Sequence, residues 1–138
     1  MRDCFKTPGR SILGGSAAIV ACGLARLGVP VRFIGRLSTD GFGRQLAAGL
    51  AADGVDLRWA VHGPQPTTLA VVALDAAGSP TFSFYGEGTA DRLLVPQDLP
   101  ATLDDEPRAP GERSEPGGRV EALHFGTLSL VAEPQAST

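Results

Sequence analysis

The stretch Gly14-Gly15-Ser16-Ala17-Ala18-Ile19-Val20-Ala21-Cys22-Gly23-Leu24-Ala25-Arg26-Leu27-Gly28 constrains the fold more than any other part of the chain. A glycine pair opens it, Ser16 has a hydroxyl suited to capping a helix, and apolar residues recur at Ala17, Val20, Ala21, Leu24 and Leu27. That spacing lays one apolar stripe along a 3.6-residue period. Gly28 stands where a left-handed C-cap is wanted, and Pro30 blocks resumption of the helix. Val31–Gly35 then reads as a short strand. The unit is glycine turn, helix, turn, strand.

Asp40 is placed to cap a second helix, from about Phe42 to Asp53, with Phe42, Leu46 and Leu50 as its buried face and Gly54 as its end. Helix, strand and helix joined by short turns predict an α/β layer with parallel strands. The pattern then changes. Val55–Val61, Leu69–Leu74 and Thr81–Tyr85 are β runs separated by Gly63-Pro64-Gln65-Pro66 and by Asp75-Ala76-Ala77-Gly78-Ser79-Pro80. Turn clusters of this kind predict an antiparallel meander. Phe82 and Phe84 alternate with Ser83 and Tyr85, so one face is apolar and suited either to the body of the domain or to a partner sheet.

Residues 1–13 are expected to be an irregular N-terminal stub, with Ser11-Ile12-Leu13 the remnant of a strand. Residues 104–119 carry no apolar side chain except Ala109. They cannot repay the entropy of ordering and are expected to form a mobile loop. Val120–Phe125 returns as one more strand. His62 follows an exposed β run and reads as a surface residue, whereas His124 lies in an apolar run and reads as an interior one.

A chain of 138 residues is one domain at most, and 43% hydrophobic with 20% charged residues is a globular composition. The net charge is −3, and Lys6 is the only lysine among 12 basic residues. No basic field for nucleic acid or anionic lipid arises from such a composition. Two cysteines, Cys4 and Cys22, make no disulfide framework, so a reduced cytoplasmic setting is the default. No secretory leader and no membrane-spanning run is read.

Gly14-Gly15, the helix ending Gly-Leu-Ala-Arg-Leu-Gly, Phe33-Ile34-Gly35, and then Asp40, Gly41 and Gly43 resemble the first signature of ribokinase-like (PfkB-type) carbohydrate kinases, and of fructokinases in particular. The similarity runs from about Gly14 to Leu94 and resumes at Ala122–Pro134. The resemblance implies an α/β, partial ribokinase-like fold. A parallel βα layer would carry a small antiparallel β lid (strands within about 55–85), with 14–138 forming one truncated domain that lacks the C-terminal half. It implies ATP-dependent phosphoryl transfer to a sugar hydroxyl in complete relatives, with ATP and Mg²⁺ as their cofactors. It also implies a lid that closes over the sugar and often makes the dimer contact.

Residue by residue, the resemblance makes Gly14 and Gly15 sugar contacts. Free amides at a helix N-terminus favour electron-rich groups. Arg36, just past the first strand at the edge where α/β proteins bind ligands, is a third candidate contact. Where the family usually has an Asn that helps hold the sugar, this chain has Ile19, which has no hydrogen-bonding side chain and is expected to pack as core. The family's Gly-Ala-Gly-Asp turn, which supplies the catalytic base and the anion-hole amides, is absent from the sequence, and no phosphate-binding loop of the Gly-x-x-x-x-Gly-Lys type exists. No catalytic, cofactor-binding or metal-binding residue is therefore assigned. Gly86-Glu87-Gly88 lacks a third glycine and reads as a connector. Asp91, His124 and Ser129 lack the elbow of a hydrolase triad. The expected activity is that of a fructose-type sugar kinase in complete relatives, with this chain inactive alone. The alternative is a non-catalytic interaction module that pairs through its lid sheet.

Overall fold

The computed structural model describes residues 11–101, 103 and 120–126. In chain order the elements are α1 (Ser16–Arg26), β1 (Gly35–Ser38), α2 (Gly41–Ala52), β2 (Ala60–Gly63), β3 (Leu69–Leu74) and β4 (Pro80–Tyr85), followed by two 3₁₀ turns at Ala90–Leu93 and Pro96–Asp98. β1 and β2 pair in parallel, from Gly35 opposite Ala60 to Ser38 opposite Gly63. The connection between them is α2, the usual helical crossover of a parallel pair. β3 and β4 form a separate antiparallel ribbon. The architecture is therefore the expected one, a parallel βα layer carrying a small antiparallel sheet.

Both helices end in the same way. Gly28 has φ 79°, its amide donates to Ala25 O at 2.9 Å, and the Val29 amide donates to Leu24 O at 3.1 Å. Gly54 has φ 86°, its amide reaches Ala51 O at 3.0 Å, and the Val55 amide reaches Leu50 O at 3.1 Å. These paired bonds define Schellman caps, in which glycine tolerates the left-handed backbone at no steric cost. Arg26 clamps the two helix ends together through a bidentate pair with Asp53, at 2.9 and 2.8 Å.

The core lies between the helices and the entry to the parallel sheet. Ala18, Ala21, Cys22, Leu50 and Val55 are buried, with Leu13, Ala25, Val31, Phe33, Leu46 and Leu57 packed around them. The buried face of α1 is thus Ala18, Ala21, Cys22 and Ala25, displaced from the stripe read in the sequence. Small residues let the helix approach closely, and the bulkier Leu24 and Leu27 turn outward. Ile19 is exposed and does not pack as core, because it lies off this face. The cap position of α1 is Gly15, with no side-chain cap, so Ser16 is the first helical residue and not the cap. Asp40 caps α2 as expected. Phe42, in the first turn of α2, is exposed, and the buried anchor of that helix is Leu50.

Four strand expectations are corrected. Pairing at 31–33 amounts to an isolated bridge between Arg32 and Asp56, and the strand proper begins at Gly35. The run 55–61 does not open an antiparallel meander. Its last two residues, Ala60 and Val61, belong to β2, which pairs in parallel with β1, leaving β3 and β4 as a two-stranded lid. Residues 120–126 form no strand, and Ser11–Leu13 form none either. Both have strand-like sequences, but a strand exists only where a neighbour supplies its hydrogen bonds. His124, expected inside, is exposed, whereas His62 is exposed as expected. The expected mobile loop at 104–119, the first ten residues of the stub, and Ser129 lie outside the described residues.

Candidate functional site

The lid stands on a cluster of polar side chains at the C-terminal ends of β1 and β2. Asp40 follows β1 directly. Its Oδ1 accepts from the Gly43 amide at 2.7 Å and from the Thr67 hydroxyl at 2.7 Å, and its Oδ2 accepts from the Thr67 amide at 2.8 Å. One carboxylate therefore caps α2 and anchors the strand entering the lid. The Gly43 amide, then the Thr67 hydroxyl and amide, hold its carboxyl well below the usual carboxylate range. With three donors on the anion, Asp40 is a fixed charge and not a proton acceptor. Gly43 must be glycine, since a Cβ there would lie 2.0 Å from Ser38 O.

The returning leg of the lid is tied to the outgoing leg. The Ala90 amide donates to Pro66 O at 3.0 Å. Thr68 Oγ1 and Thr89 Oγ1 are 2.6 Å apart, Thr68 donates to Asp91 Oδ1 at 2.5 Å, and Thr89 donates to Gly86 O at 2.9 Å. Beside these threonines opens a cleft of about 420 Å³, lined by Pro66, Thr67, Leu69, Phe84, Tyr85, Gly86, Glu87 and Thr89. Its walls combine aromatic and aliphatic surface with hydroxyls and one carboxylate.

Arg36 sits on β1, one register step before Leu37. Its Nη1 donates to Asp98 Oδ2 at 3.0 Å and to Leu93 O at 3.3 Å, so it fastens the 3₁₀ turns to the sheet. Arg36 Nε is buried without a partner, and so is Gln65 Oε1. Both side chains flank Gly63, where a Cβ would lie 2.4 Å from Gln65 Oε1 and 3.1 Å from Arg36 Nη2. An unpaired donor and an unpaired acceptor are satisfied together by a hydroxyl or a water.

Gly14 and Gly15 lie directly before α1. Gly15 has φ 90°, and a Cβ there would meet nothing within 4 Å. Gly126 approaches the first turn of α1 closely: a Cβ on it would lie 2.9 Å from Ser16 Oγ. The hydrogen bonds of Arg36 run to Leu93 and Asp98, not to this turn. The Asp40–Thr67 clamp and the Thr68–Thr89–Asp91 cluster are not apparent from the sequence, because their partners stand 21 to 27 residues apart. The one local signal is the Thr67-Thr68 pair placed directly before a β run.

Among the described residues no three His, Cys, Asp or Glu side chains come together to hold a metal ion. No described helix is long and apolar enough to cross a membrane.

A parallel βα layer with an antiparallel lid rooted at the strand ends, beside an open cleft, defines an α/β fold of the ribokinase-like class. Residues 9–103 match the pfkB family of carbohydrate kinases, and the chain belongs to that family. It is 40% identical over 126 residues to a fructokinase of Klebsiella pneumoniae, an alignment covering 91% of this chain and 36% of that one. Fructokinase of Vibrio cholerae O395 in its apo form superposes with a TM-score of 0.71 at 30% identity, covering 90% of this chain and 38% of the other. The same enzyme in its fructose, ADP and calcium ion bound form gives a TM-score of 0.65 at 27% identity, covering 90% and 36%. The chain spans about a third of the length of the curated relatives it matches.

Proposed function

We propose that this chain is the sugar-binding and lid portion of an ATP-dependent fructose-type kinase, organised as one domain over residues 14–138. The observation that carries the reading is the lid ribbon set on the Asp40–Thr67 clamp beside an open cleft, in a chain that belongs to the pfkB family. Gly14 and Gly15 contact the sugar through the open space before α1. Arg36 contributes through its unpartnered Nε, which a sugar hydroxyl is able to satisfy. The Vibrio relative described as bound to fructose and ADP supports a hexose as the sugar and ATP as the phosphoryl donor. The nucleotide and the catalytic base belong to the portion of the relatives that this chain does not span, so the chain alone binds sugar without phosphorylating it. A reduced cytoplasmic setting accords with this reading.

A second reading is favoured by one feature of the lid. Ala70, Val72 and Leu74 share a face with Phe84, Phe82 and Pro80, and every one of these residues is exposed. Phe82 and Phe84 stack with centroids 6.3 Å apart. A wholly apolar, uncovered ribbon face suits pairing with a second lid. The test of both readings is ATP-dependent phosphorylation by the purified chain, followed by mass detection, beside fructose binding by calorimetry and the oligomeric state by light scattering. Fructose binding without product is the expected result. Product formed by the chain alone would overturn the first reading, and a monomer unaffected by Phe84→Asp would overturn the second.

A further inference from the structure

The strap that joins β2 to the lid is held at both ends and stiffened between them. At its start the Gly63 carbonyl accepts from the Thr39 amide at 2.8 Å, and at its far end Thr67 is clamped by Asp40. Between these anchors stand Pro64, Gln65 and Pro66, and the Pro66 carbonyl accepts from the Ala90 amide at 3.0 Å. Each proline fixes its own φ, and Pro66 also restricts the backbone of Gln65. The Gln65 side chain therefore has little backbone freedom with which to improve its contacts. It lies over Gly63, where a Cβ would collide with Gln65 Oε1 and lie 3.1 Å from Arg36 Nη2. In this seat Gln65 Oε1 and Arg36 Nε are both buried, and neither finds a hydrogen-bond partner among the described residues. Arg36 is not free to turn toward Gln65, because its Nη1 is engaged by Asp98 Oδ2 at 3.0 Å and Leu93 O at 3.3 Å.

A buried donor and a buried acceptor held apart oppose the state that holds them, since each gives up water without gaining a protein partner. One movement relieves both, the departure of Gln65 from its seat over Gly63. We propose that Gln65 is a latch at the root of the lid, with a seated position and a released one. In the released position its side-chain amide is hydrated, and the space left over Gly63 opens Arg36 Nε to water or to a ligand hydroxyl. Pro66 and Thr67 follow Gln65 directly and line the cleft, so the two positions of the latch give the cleft two shapes. The Asp40–Thr67 clamp favours the seated position and the two orphaned groups oppose it, which keeps the released position populated. The latch does not depend on which ligand the cleft takes.

The test uses the full chain without ligand, read by nitrogen relaxation dispersion and by amide hydrogen exchange. In the parent, the Gln65 side-chain amide and the backbone amides of Thr67 and Ala90 should fluctuate between two states at one common rate. Gln65→Met keeps the length of the side chain and removes the orphaned acceptor, and Gln65→Leu does the same with a different shape. In both variants the released population should fall roughly 10-fold, flattening the dispersion at Thr67 and Ala90 and slowing their hydrogen exchange by the same factor. A residue that merely props the strap gives the opposite sign, because its loss speeds exchange. Circular dichroism checks that each variant remains folded, and the parent profiles test the latch without any substitution. The proposal is overturned if Gln65 and Thr67 in the parent fluctuate at different rates or not at all. It is equally overturned if the folded variants exchange at Thr67 and Ala90 as fast as the parent or faster. Fructose plays no part in these readouts, so the latch and the kinase reading stand or fall separately.

Discussion

Replacing Asp40 with alanine removes three hydrogen bonds at once, and the structure gives the cost. Loss of the bond to the Gly43 amide is loss of an N-cap, about 1 kcal/mol. The bonds from the Thr67 hydroxyl and amide end on a carboxylate, and bonds to charged groups contribute about 1.5–3 kcal/mol each. These groups are only partly buried, so water recovers some of the loss, and the sum comes to about 3–5 kcal/mol. Set against a domain stability of about 5–15 kcal/mol, that is a severe defect. Urea unfolding followed by circular dichroism reads it directly. With a slope of about 1.5–2 kcal/mol per molar, the midpoint should fall by about 2 M. Thr67→Val removes only the hydroxyl and should cost about 1–1.5 kcal/mol. The double variant should cost less than the sum of the two singles by about 1 kcal/mol, because one bond is counted in both. The pH dependence carries a definite sign. The folded-state pKa of Asp40 is depressed, so its contribution is complete above the unfolded value of about 3.9 and is lost as the pH falls through and below that value. The gap between the parent and Asp40→Ala should therefore narrow from about pH 5 downward. A cost below about 1 kcal/mol, or strict additivity with Thr67→Val, would refute the clamp.

Three further outcomes follow from the packing. Gly43→Ala drives a methyl group into the Ser38 carbonyl and should cost at least ~3 kcal/mol, whereas Gly23→Ala, with nothing within 4 Å, should stabilise α1 by about 0.5–1 kcal/mol; thermal melts of the pair measure the contrast. Asp98→Ala leaves the largely buried Arg36 charge without its partner and should cost about 3 kcal/mol, while adding Arg36→Met to that variant should restore part of the loss in the same melts. Burial, followed by the neighbouring Asp53 carboxylate, raises the Cys22 thiol above its ordinary pKa, so alkylation at pH 8 mapped by peptide mass should be slower at Cys22 in the folded chain than after denaturation.

What the sequence made legible was local. Asp40 ahead of α2, Gly28 and Gly54 behind the helices, and the lid strands at 69–74 and near 80–85 are each encoded within a few residues of where they act. The pairing of β2 was not. Residues 55–61 and 69–74 look alike as strands, and whether one pairs in parallel with β1 or antiparallel with β3 depends on the crossover through α2. The burial of α1 was misjudged by one position, because small residues such as Ala18 and Ala21 pack closest while carrying little hydrophobic signal. Ile19 and Phe42 are apolar yet exposed, so hydrophobicity alone did not reveal which face meets a neighbour. The turn before α1 was readable from Gly14-Gly15. The clamp on Thr67 was not, since a carboxylate and a hydroxyl 27 residues apart leave no periodic trace.

The way the ribbon is fastened determines how it moves. Its two legs are tied to each other at Pro66–Ala90 and Thr68–Thr89, and its outgoing leg is tied to the sheet at Asp40. Arg36 holds the 3₁₀ turns after the returning leg to the same sheet, so the ribbon is a lever whose rungs travel together about a base fixed at Asp40 and Arg36. Six residues of strand reach about 20 Å from that base, so a tilt of about 10° carries the tip near Gly78 through about 3.5 Å while the hydrogen bonds between the strands stay intact. The same tilt pulls on the first turn of α2, because Thr67 and the Gly43 amide share Asp40 Oδ1. Motion at the tip and strain at that helix end are two readings of a single displacement.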